Sequence, residues 1–285
     1  MTARQEELIA RELRGGRVTA LDDDSWKLSI PPGPAGQYRL AQLDDYSFLP
    51  RNDFPQQLPL SLDVRARASH TDIPGTWGFG FWNDPFITDF GFAGGTRRLP
   101  VLPDTAWFFF ASPENYLSLD DTIPASGELA VTFHSRKIPS LLLALAIPIA
   151  PLLFIGPVAR VLRRAGKRII HQSASDIRRS ANGPFKQVTD WRNYSMKITH
   201  AEATFSVDGR LVHRTNVTPV EPLGLVIWID NQYAAVPPEG GIAFGSLENK
   251  DESWIEITGL SIRSGGQEQG AEQLGQGHIG SPGYD

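Results

Sequence analysis

The chain contains 285 residues, has no cysteine and carries a formal net charge of −5 at neutral pH. The lack of cysteine excludes disulfides, thiolate catalysis and cysteine-ligated metals. The acidic balance gives no electrostatic reason for a nucleic-acid partner, and none is expected. A chain of this length can form one large β domain or two small ones, and we adopt one domain with an insertion as the interpretation.

The amino-terminal segment is charged, and its pattern predicts a helix from Met1 to Arg14 within an extension that ends at residue 24. It lacks the apolar core that a secretory signal requires. We therefore expect a cytoplasmic location, with contact to a membrane surface as an open alternative.

Short strands separated by turn residues make up most of the remaining sequence. Residues 60–68 alternate between apolar and polar side chains, which is typical of a half-exposed antiparallel strand. Further strands are predicted at 25–30, 38–43, 77–82, 106–111, 129–134, 194–199, 203–207, 223–230 and 254–263. The sequence thus predicts an all-β chain, an antiparallel β-sandwich of the jelly-roll type, formed by residues 25–137 and 184–264.

An apolar run from Ile138 to Ala159 interrupts the strands, and basic residues flank it on both sides. Four prolines lie within it: Pro139, Pro148, Pro151 and Pro157. Each interior proline costs a helix about 3 kcal/mol, and lipid offers no water to the freed carbonyl groups. We predict an apolar helical insertion at 138–183 that forms a lid over the protein's own cleft. A buried helical hairpin that serves only as core, a segment dipping into one leaflet and a membrane span are the alternatives.

The carboxyl-terminal residues 265–285 are rich in Gly, Gln, Glu and Ser and contain few apolar side chains. Such a composition does not bury enough surface to order a chain, so we predict a disordered tail.

Several of these strands, in this order, resemble those of the family 16 glycoside hydrolases and the wider concanavalin A-like lectin/glucanase fold. The segments that carry the resemblance are Leu62–Ala68 with Gly75–Trp82, Thr132–His134, Trp191–Tyr194, Phe205–Val212, Pro222–Trp228 and Trp254–Ile262. They are similar, in turn, to the family's Gly-Thr-Trp-Pro-Ala-Phe-Trp strand pair, its Thr-Leu-His strand, its His-x-Tyr and Phe-Tyr-Val-Asp-Gly-Lys segments, and its last two strands. The resemblance implies a concanavalin A-like sandwich with a ligand cleft on its concave sheet.

The sequence departs from the family at the strand that carries the catalytic Glu-x-Asp-x-x-Glu motif. The corresponding interval, Thr105–Ser112, contains no carboxylate. Retaining hydrolysis requires two carboxyl groups about 5 Å apart, so glycoside hydrolysis is not expected. No cofactor or metal is expected either, because the six histidines show no spacing typical of a metal site.

Aromatic residues replace the carboxylates, which predicts an apolar cleft. Phe108–Phe110 either line this cleft or fill the core of the sandwich.

Asp84 and Asp230 fall on the same strand faces as Trp82 and Trp228, and an apolar setting would raise their affinity for protons. The candidate catalytic residues are Asp84, Asp230 and His134, and the candidate ligand-binding residues are Trp82, Asn83, Trp107, Phe109, Trp228, Gln232 and Tyr233. Structural roles remain open for the turn at Asp84, for Asp230 and for His134.

Three functions follow as hypotheses. The first is the binding of an apolar small molecule, such as a terpenoid, polyketide or lipid, with cyclase or isomerase chemistry at the two aspartates. The second is non-catalytic carbohydrate binding, with Trp82 and Trp228 as platforms for sugar rings. The third is a structural subunit of a membrane assembly that contacts the membrane surface through residues 138–168. The sequence leaves the oligomeric state open.

Overall fold

The computed structural model describes residues 8–85, 98–146, 155–180 and 187–265. In chain order the strands are β1 (Ile9–Leu13), β2 (Arg17–Asp22), β3 (Ser25–Ile30), β4 (Leu40–Asp44), β5 (Leu60–Ala68), β6 (Thr76–Trp82), β7 (Thr105–Ala111), β8 (Gly127–Ser135), β9 (Ile170–Asp176), β10 (Arg192–Ile198), β11 (Ala203–Val207), β12 (Arg210–Thr215), β13 (Gly224–Asp230), β14 (Gln232–Ala235), β15 (Ala243–Ser246) and β16 (Ser253–Ser264). The helices are α1 (Ser140–Ala146), α2 (Gly156–Ile169) and α3 (Ile177–Ser180), together with a 3₁₀ turn at Arg51–Asp53.

Two seven-stranded sheets form the body of the molecule. The front sheet has the order β1-β4-β13-β6-β7-β8-β9, and the back sheet has the order β12-β11-β10-β5-β16-β3-β2. Neighbouring strands within each sheet run antiparallel. This arrangement confirms the predicted all-β, antiparallel β-sandwich of the jelly-roll, concanavalin A-like type.

The main core lies between the two sheets and follows from the alternation of side chains along the strands. In β5 the buried positions are every second residue, as the apolar pattern of 60–68 predicts. In β7, Phe108 and Phe110 point into this core, where the Phe108 ring lies 5.0 Å from that of Tyr194. Trp107 and Phe109 point to the outer face of the front sheet and belong to a second aromatic cluster. Phe108 and Phe110 therefore fill the core, as one of the two interpretations predicts, whereas Phe109 lies on the outer face of the front sheet.

The helix predicted for Met1–Arg14 is wrong for the described part of that segment. Ile9–Leu13 forms β1, which pairs with β4 from Ile9 opposite Asp44 to Leu13 opposite Leu40. Half-buried and exposed side chains alternate along β1, so pairing with a sheet edge outweighs the helix propensity of its residues. Arg14 and Gly15 both have positive φ and form the tight turn that carries the chain from the front sheet to the back sheet. Residues 1–7 lie outside the described part.

The insertion at 138–183 contains α1, α2 and α3, and it also contributes β9, the outermost strand of the front sheet next to β8. Residues 147–154 and 181–183 of the insertion are outside the described residues, as are residues 184–186 that follow it. Among the helices that the structure describes, none has both the length and the apolar character to span a membrane. The predicted tail lies outside the described residues from 266 onward.

Candidate ligand-binding site on the front sheet

A row of aromatic rings covers the outer face of the three central strands of the front sheet. The Trp107 ring lies at its centre, 5.7 Å from Trp82, 5.4 Å from Trp228 and 5.6 Å from Phe109, measured between ring centroids. We call these four residues the aromatic floor. Each is more than nine-tenths buried. The strand register explains the arrangement. Because β7 and β13 both pair with β6, one on each side, their outward side chains lie next to each other across β6.

Two glycines of β6 make room for this floor. Gly78 lies between Trp228 and Phe109 in the register, and Gly80 lies opposite Trp107. A Cβ on Gly78 would come within 2.8 Å of Trp228 Cη2, and a Cβ on Gly80 within 2.7 Å of Trp107 Cβ. The sequence predicts that these glycines leave space for a ligand or for another part of the protein. The structure shows that the protein's own tryptophans occupy this space.

Two polar atoms on the floor have no hydrogen-bond partner among the residues that the structure describes. They are Trp107 Nε1 and Thr105 Oγ1, and both are buried. Thr105 lies two residues before Trp107 on β7, so both side chains point to the outer face. An indole N–H can only donate, whereas a hydroxyl can donate and accept. Buried polar groups without partners are rare, and they mark places where a ligand or water molecule completes the hydrogen bonding.

Asp230 lies at the end of β13, beside the aromatic floor. Its Oδ1 accepts hydrogen bonds from Thr76 Oγ1 at 2.9 Å and from the backbone amides of Thr76 and Gln232 at 3.3 and 3.2 Å. Its Oδ2 accepts one from the Tyr38 hydroxyl at 3.3 Å. Burial raises the pKa of Asp230 to about 7, while hydrogen bonds from these donors act in the opposite direction. The group therefore changes charge near neutral pH.

Thr76 links Asp230 to the floor. Its hydroxyl accepts a hydrogen bond from Trp228 Nε1 at 3.0 Å and donates to Asp230 Oδ1. The Trp228 indole therefore has an internal acceptor, whereas the described ranges supply none for the Trp107 indole. This chain of hydrogen bonds holds both Trp228 and Asp230 in place.

Asp84 does not face the floor as a free acid. Its Oδ2 forms a buried ion pair with Arg98 Nη1 at 2.6 Å, and its backbone carbonyl accepts from Arg51. Arg98 also donates to the carbonyl groups of Tyr46, Ser47 and Leu49. Burial raises the pKa of Asp84, and the Arg98 charge lowers it. We therefore assign the Asp84–Arg98 pair to holding the 46–49 loop.

His134 lies on the other face of the front sheet. It follows Phe133, which packs against the aromatic floor, so strand alternation directs His134 away from the floor. Its Nδ1 is 3.5 Å from Asp104 Oδ1, and its ring stacks with that of His171. Burial raises the pKa of Asp104 to about 6, opposed by hydrogen bonds from the Ser135 and Val220 amides. The prediction that His134 joins Asp84 and Asp230 in one site is not supported by this placement.

The other predicted ligand-binding residues lie at the rim. The Asn83 side chain is tied to the neighbouring loop, because its Nδ2 donates to the Leu102 carbonyl at 2.9 Å and its Oδ1 accepts from the Asp104 amide. Gln232 and Tyr233 lie on β14, which pairs with β15 in a separate two-stranded ribbon. Gln232 is exposed and Tyr233 is half-buried.

Gln42 and Asp44 on β4 carry further polar atoms beside the floor. Gln42 Nε2 donates to Asp44 Oδ2 at 2.7 Å, and the Ser47 hydroxyl donates to the same oxygen. Asp44 Oδ1 accepts from the backbone amides of Tyr46 and Ser47. Both Asp44 oxygens thus have internal donors.

Sequence reasoning missed Thr76, Thr105 and Arg98. Thr76 and Thr105 share the strand parity of Trp82 and Trp107, so extending each predicted strand by one residue would have found them. Arg98 lies 14 residues after Asp84 in the chain, and no local pattern predicts that contact. Within the described ranges, no group of three or more metal-ligating side chains comes together.

Comparisons with known proteins give distant structural likeness only. No protein-family model matches the sequence, and no curated protein matches it in sequence. A GH16 protein of Bacteroides ovatus in complex with a G4G4G3G product is 9% identical with a TM-score of 0.45, over 91% of this chain and 95% of that one. A legume lectin-like domain from Entamoeba histolytica is 10% identical with a TM-score of 0.41, over 90% of this chain and 89% of that one.

An endo-β-galactosidase from Clostridium perfringens that releases GlcNAcα1-4Gal is 9% identical, with a TM-score of 0.46 over 90% of this chain. This chain spans 59% of that enzyme and 17% of a chain described as a sialidase. Likeness at these identities and TM-scores does not indicate a function for this chain.

Proposed function

We propose that the protein is a non-catalytic carbohydrate-binding protein whose ligand lies against the aromatic floor. The observation that carries this proposal is the N–H of Trp107 at the centre of the floor, which has no acceptor among the residues that the structure describes. Binding sites for small molecules combine apolar and aromatic walls with a few polar groups that fix orientation. A sugar ring fits this combination, because its C–H face packs on an aromatic ring while its hydroxyl groups accept and donate hydrogen bonds.

Thr105 supports the same proposal. Its hydroxyl lies on the same face of β7 as Trp107 and has no partner among the described residues. A sugar hydroxyl can pair with either group, since it both donates and accepts. A ligand without hydrogen-bonding groups would leave both of these polar atoms unsatisfied, at a cost of about 1–3 kcal/mol each.

The distribution of carboxylates supports binding without hydrolysis. β7 carries no acidic residue, and both oxygens of Asp44 and of Asp230 are occupied by internal donors. Asp84 is held by Arg98. Retaining hydrolysis needs a nucleophile and an acid that both reach the glycosidic bond, about 5 Å apart. Arg98, which lies over the Tyr46 and Phe54 rings of the same aromatic cluster, already has Asp84 as its counterion, and we infer a neutral ligand.

Binding of neutral oligosaccharides on a glycan array, followed by calorimetric titration of the best ligand, tests the proposal. Trp107→Phe keeps an aromatic ring and removes the N–H, and we expect about tenfold weaker binding because one hydrogen bond is lost. Trp107→Ala should abolish binding. Trp254→Ala is the matched control, since Trp254 lies on the back sheet, where Lys27 and Arg67 cover its ring. Unchanged affinity in Trp107→Ala would reject the proposal.

A second candidate, an apolar ligand with acid–base chemistry, rests on Asp230 alone. Its pKa of about 7 suits proton transfer near neutral pH, and Trp228 and Val226 give that face of β13 an apolar character. Solvent extraction of the purified protein with mass spectrometry distinguishes the two candidates. A co-purifying terpenoid, polyketide or lipid that Asp230→Asn no longer converts would favour this candidate, and an extract without such a molecule would count against it.

A further inference from the structure

We propose that α1 and α2 form a docking surface for an anionic lipid bilayer. The surface, which we call the docking face, combines exposed apolar side chains with exposed cations. Its exposed apolar members are Leu141, Leu142, Val161, Leu162 and Ala165, with the half-buried Val158 beside them, and its cations are Arg160, Arg164, Lys167 and Arg168. This proposal is independent of the carbohydrate site.

The apolar side chains of the docking face are unusually exposed. Leu141 and Leu142 of α1 are 65% and 57% exposed, and Val161 and Leu162 of α2 are 62% and 44% exposed. Single exposed apolar residues are normal on a protein surface, but a group of them, here on two helices that follow one another in the chain, marks an interaction site.

The helical period separates the exposed surface of α2 into two stripes. Val158, Val161, Leu162 and Ala165 are three or four residues apart and lie along one side of the helix. The exposed cations Arg160, Arg164, Lys167 and Arg168 repeat at the same spacing along the next side. A helix with an apolar stripe beside a basic one lies in the plane of a membrane interface, with the apolar side chains inserted and the cations at the headgroups.

Contacts with the sandwich fix which side of α2 faces outward. Arg163 is buried beneath the helix, where it donates to the Leu119 carbonyl at 2.9 Å, pairs with Asp121 and lies over the Tyr116 ring. Gly240 approaches the start of α2 so closely that a Cβ there would lie 2.3 Å from the Gly156 carbonyl oxygen. With this side held against the protein, the two stripes project outward.

Charge identifies the occupant. Residues 136–168 contain seven Lys and Arg and no Asp or Glu, in a chain whose net charge is −5. Anionic headgroups attract such a cluster, whereas two copies of this chain docking face to face would bring the same cations together. Lipid chains also take up the apolar stripe, which a purely acidic partner surface would not.

Co-sedimentation of the full chain with vesicles tests the proposal. The probes are phosphatidylcholine vesicles with and without phosphatidylserine, at low and high NaCl. We expect binding to the anionic vesicles that is weakened by salt, because salt screens exposed charges. Arg164→Gln with Arg168→Gln should weaken binding more than tenfold, at about 1 kcal/mol for each cation near the surface. Leu141→Ser with Val161→Ser should weaken it as well.

Matched controls keep the result specific. Arg214→Gln with Arg263→Gln removes the same charge from exposed positions on the back sheet, and Leu211→Ser removes an exposed apolar side chain from β12. These variants should bind vesicles like the wild type. The proposal is overturned by an absence of binding to anionic vesicles, by equal binding to pure phosphatidylcholine, or by unchanged binding of the docking-face variants. Self-association that the Leu141→Ser, Val161→Ser variant removes, without vesicle binding, would instead assign the face to a second copy of the chain.

Discussion

The indole of Trp228 lies directly over Gly78, the residue opposite it on the neighbouring strand β6. A Cβ at this position would come within 2.8 Å of Trp228 Cη2 and 2.3 Å of the Phe108 carbonyl oxygen. The absence of a side chain at Gly78 is therefore a condition for the aromatic floor, because it allows the Trp228 ring to lie across Gly78, beside Trp107 and Phe109.

Gly78→Ala should consequently destabilise the protein. The new methyl group meets a backbone carbonyl that cannot move without breaking the sheet, so we expect a loss of about 3 kcal/mol or more in the free energy of unfolding. Gly166→Ala is the control, because nothing lies within 4 Å of a Cβ there and alanine favours the helix. Urea denaturation measures both variants, and equal stability of the two would contradict the packing described for Gly78.

The Asp84–Arg98 ion pair predicts a strong coupling between two buried charges. Arg98→Met leaves the Asp84 carboxylate without its counterion and should cost about 3–5 kcal/mol of stability. Combining it with Asp84→Asn removes the stranded charge and should recover part of that loss. A double-mutant cycle by denaturant unfolding measures the coupling, and additive losses in the double variant would rule out a structural pair.

From the raised pKa of Asp230 we expect the free energy of unfolding to fall as the pH rises from about 4 to about 7. Its folded pKa is raised to about 7, so the favourable contribution is complete below the unfolded pKa and is lost as the pH rises through the folded value. Three pKa units correspond to about 4 kcal/mol. Asp104, with a pKa near 6, contributes in the same direction. Asp230→Asn should therefore flatten most of the pH dependence seen in thermal or urea unfolding, and an unchanged slope would show that Asp230 does not titrate in this range.

The Thr76 hydroxyl bonds both Trp228 and Asp230, so we expect its removal to affect both side chains. Thr76→Val removes the acceptor of Trp228 Nε1 and a donor to Asp230, so stability should fall by about 2 kcal/mol. The pKa of Asp230 should rise further, because the lost hydrogen bond favours its charged form. Thr76→Ser retains the hydroxyl and is the control. NMR titration of the Asp230 carboxyl group measures the shift, and equal pKa values in the two variants would contradict the proposed link.

Strand periodicity predicts much of the fold and part of the site. Alternation in 60–68 identifies β5, and parity places Asp230 on the same face as Trp228. The same reasoning fails for the amino terminus, where Glu and Leu suggest a helix but β1 joins the edge of the front sheet beside β4. In that case the stabilisation comes from pairing with β4, which is distant in the chain, and a local sequence pattern cannot predict such pairing.

Long-range contacts explain the remaining differences. Asp84 looks like a candidate acid in the sequence because its partner Arg98 lies 14 residues further along the chain, where strand alternation predicts no contact. In the sequence, Gly78 and Gly80 suggest space for a ligand. Strand alternation predicts the direction of a side chain, but it does not predict which neighbouring side chain fills the space beside a glycine. His134 follows Phe133, which packs against the aromatic floor, and alternation along the strand therefore directs the His134 side chain to the other face of the sheet.

The most direct test of carbohydrate binding at the aromatic floor is an indole ¹⁵N NMR titration with the neutral oligosaccharides selected on the array. Trp107→Phe assigns the Trp107 signal among the seven tryptophans of the chain. Since the Trp107 N–H has no acceptor among the described residues, a bound sugar hydroxyl should move its resonance more than that of Trp228, whose N–H is held by Thr76. A saturable shift of the Trp107 signal is the predicted result, and an unmoved Trp107 signal in the presence of a sugar that binds elsewhere would contradict the account.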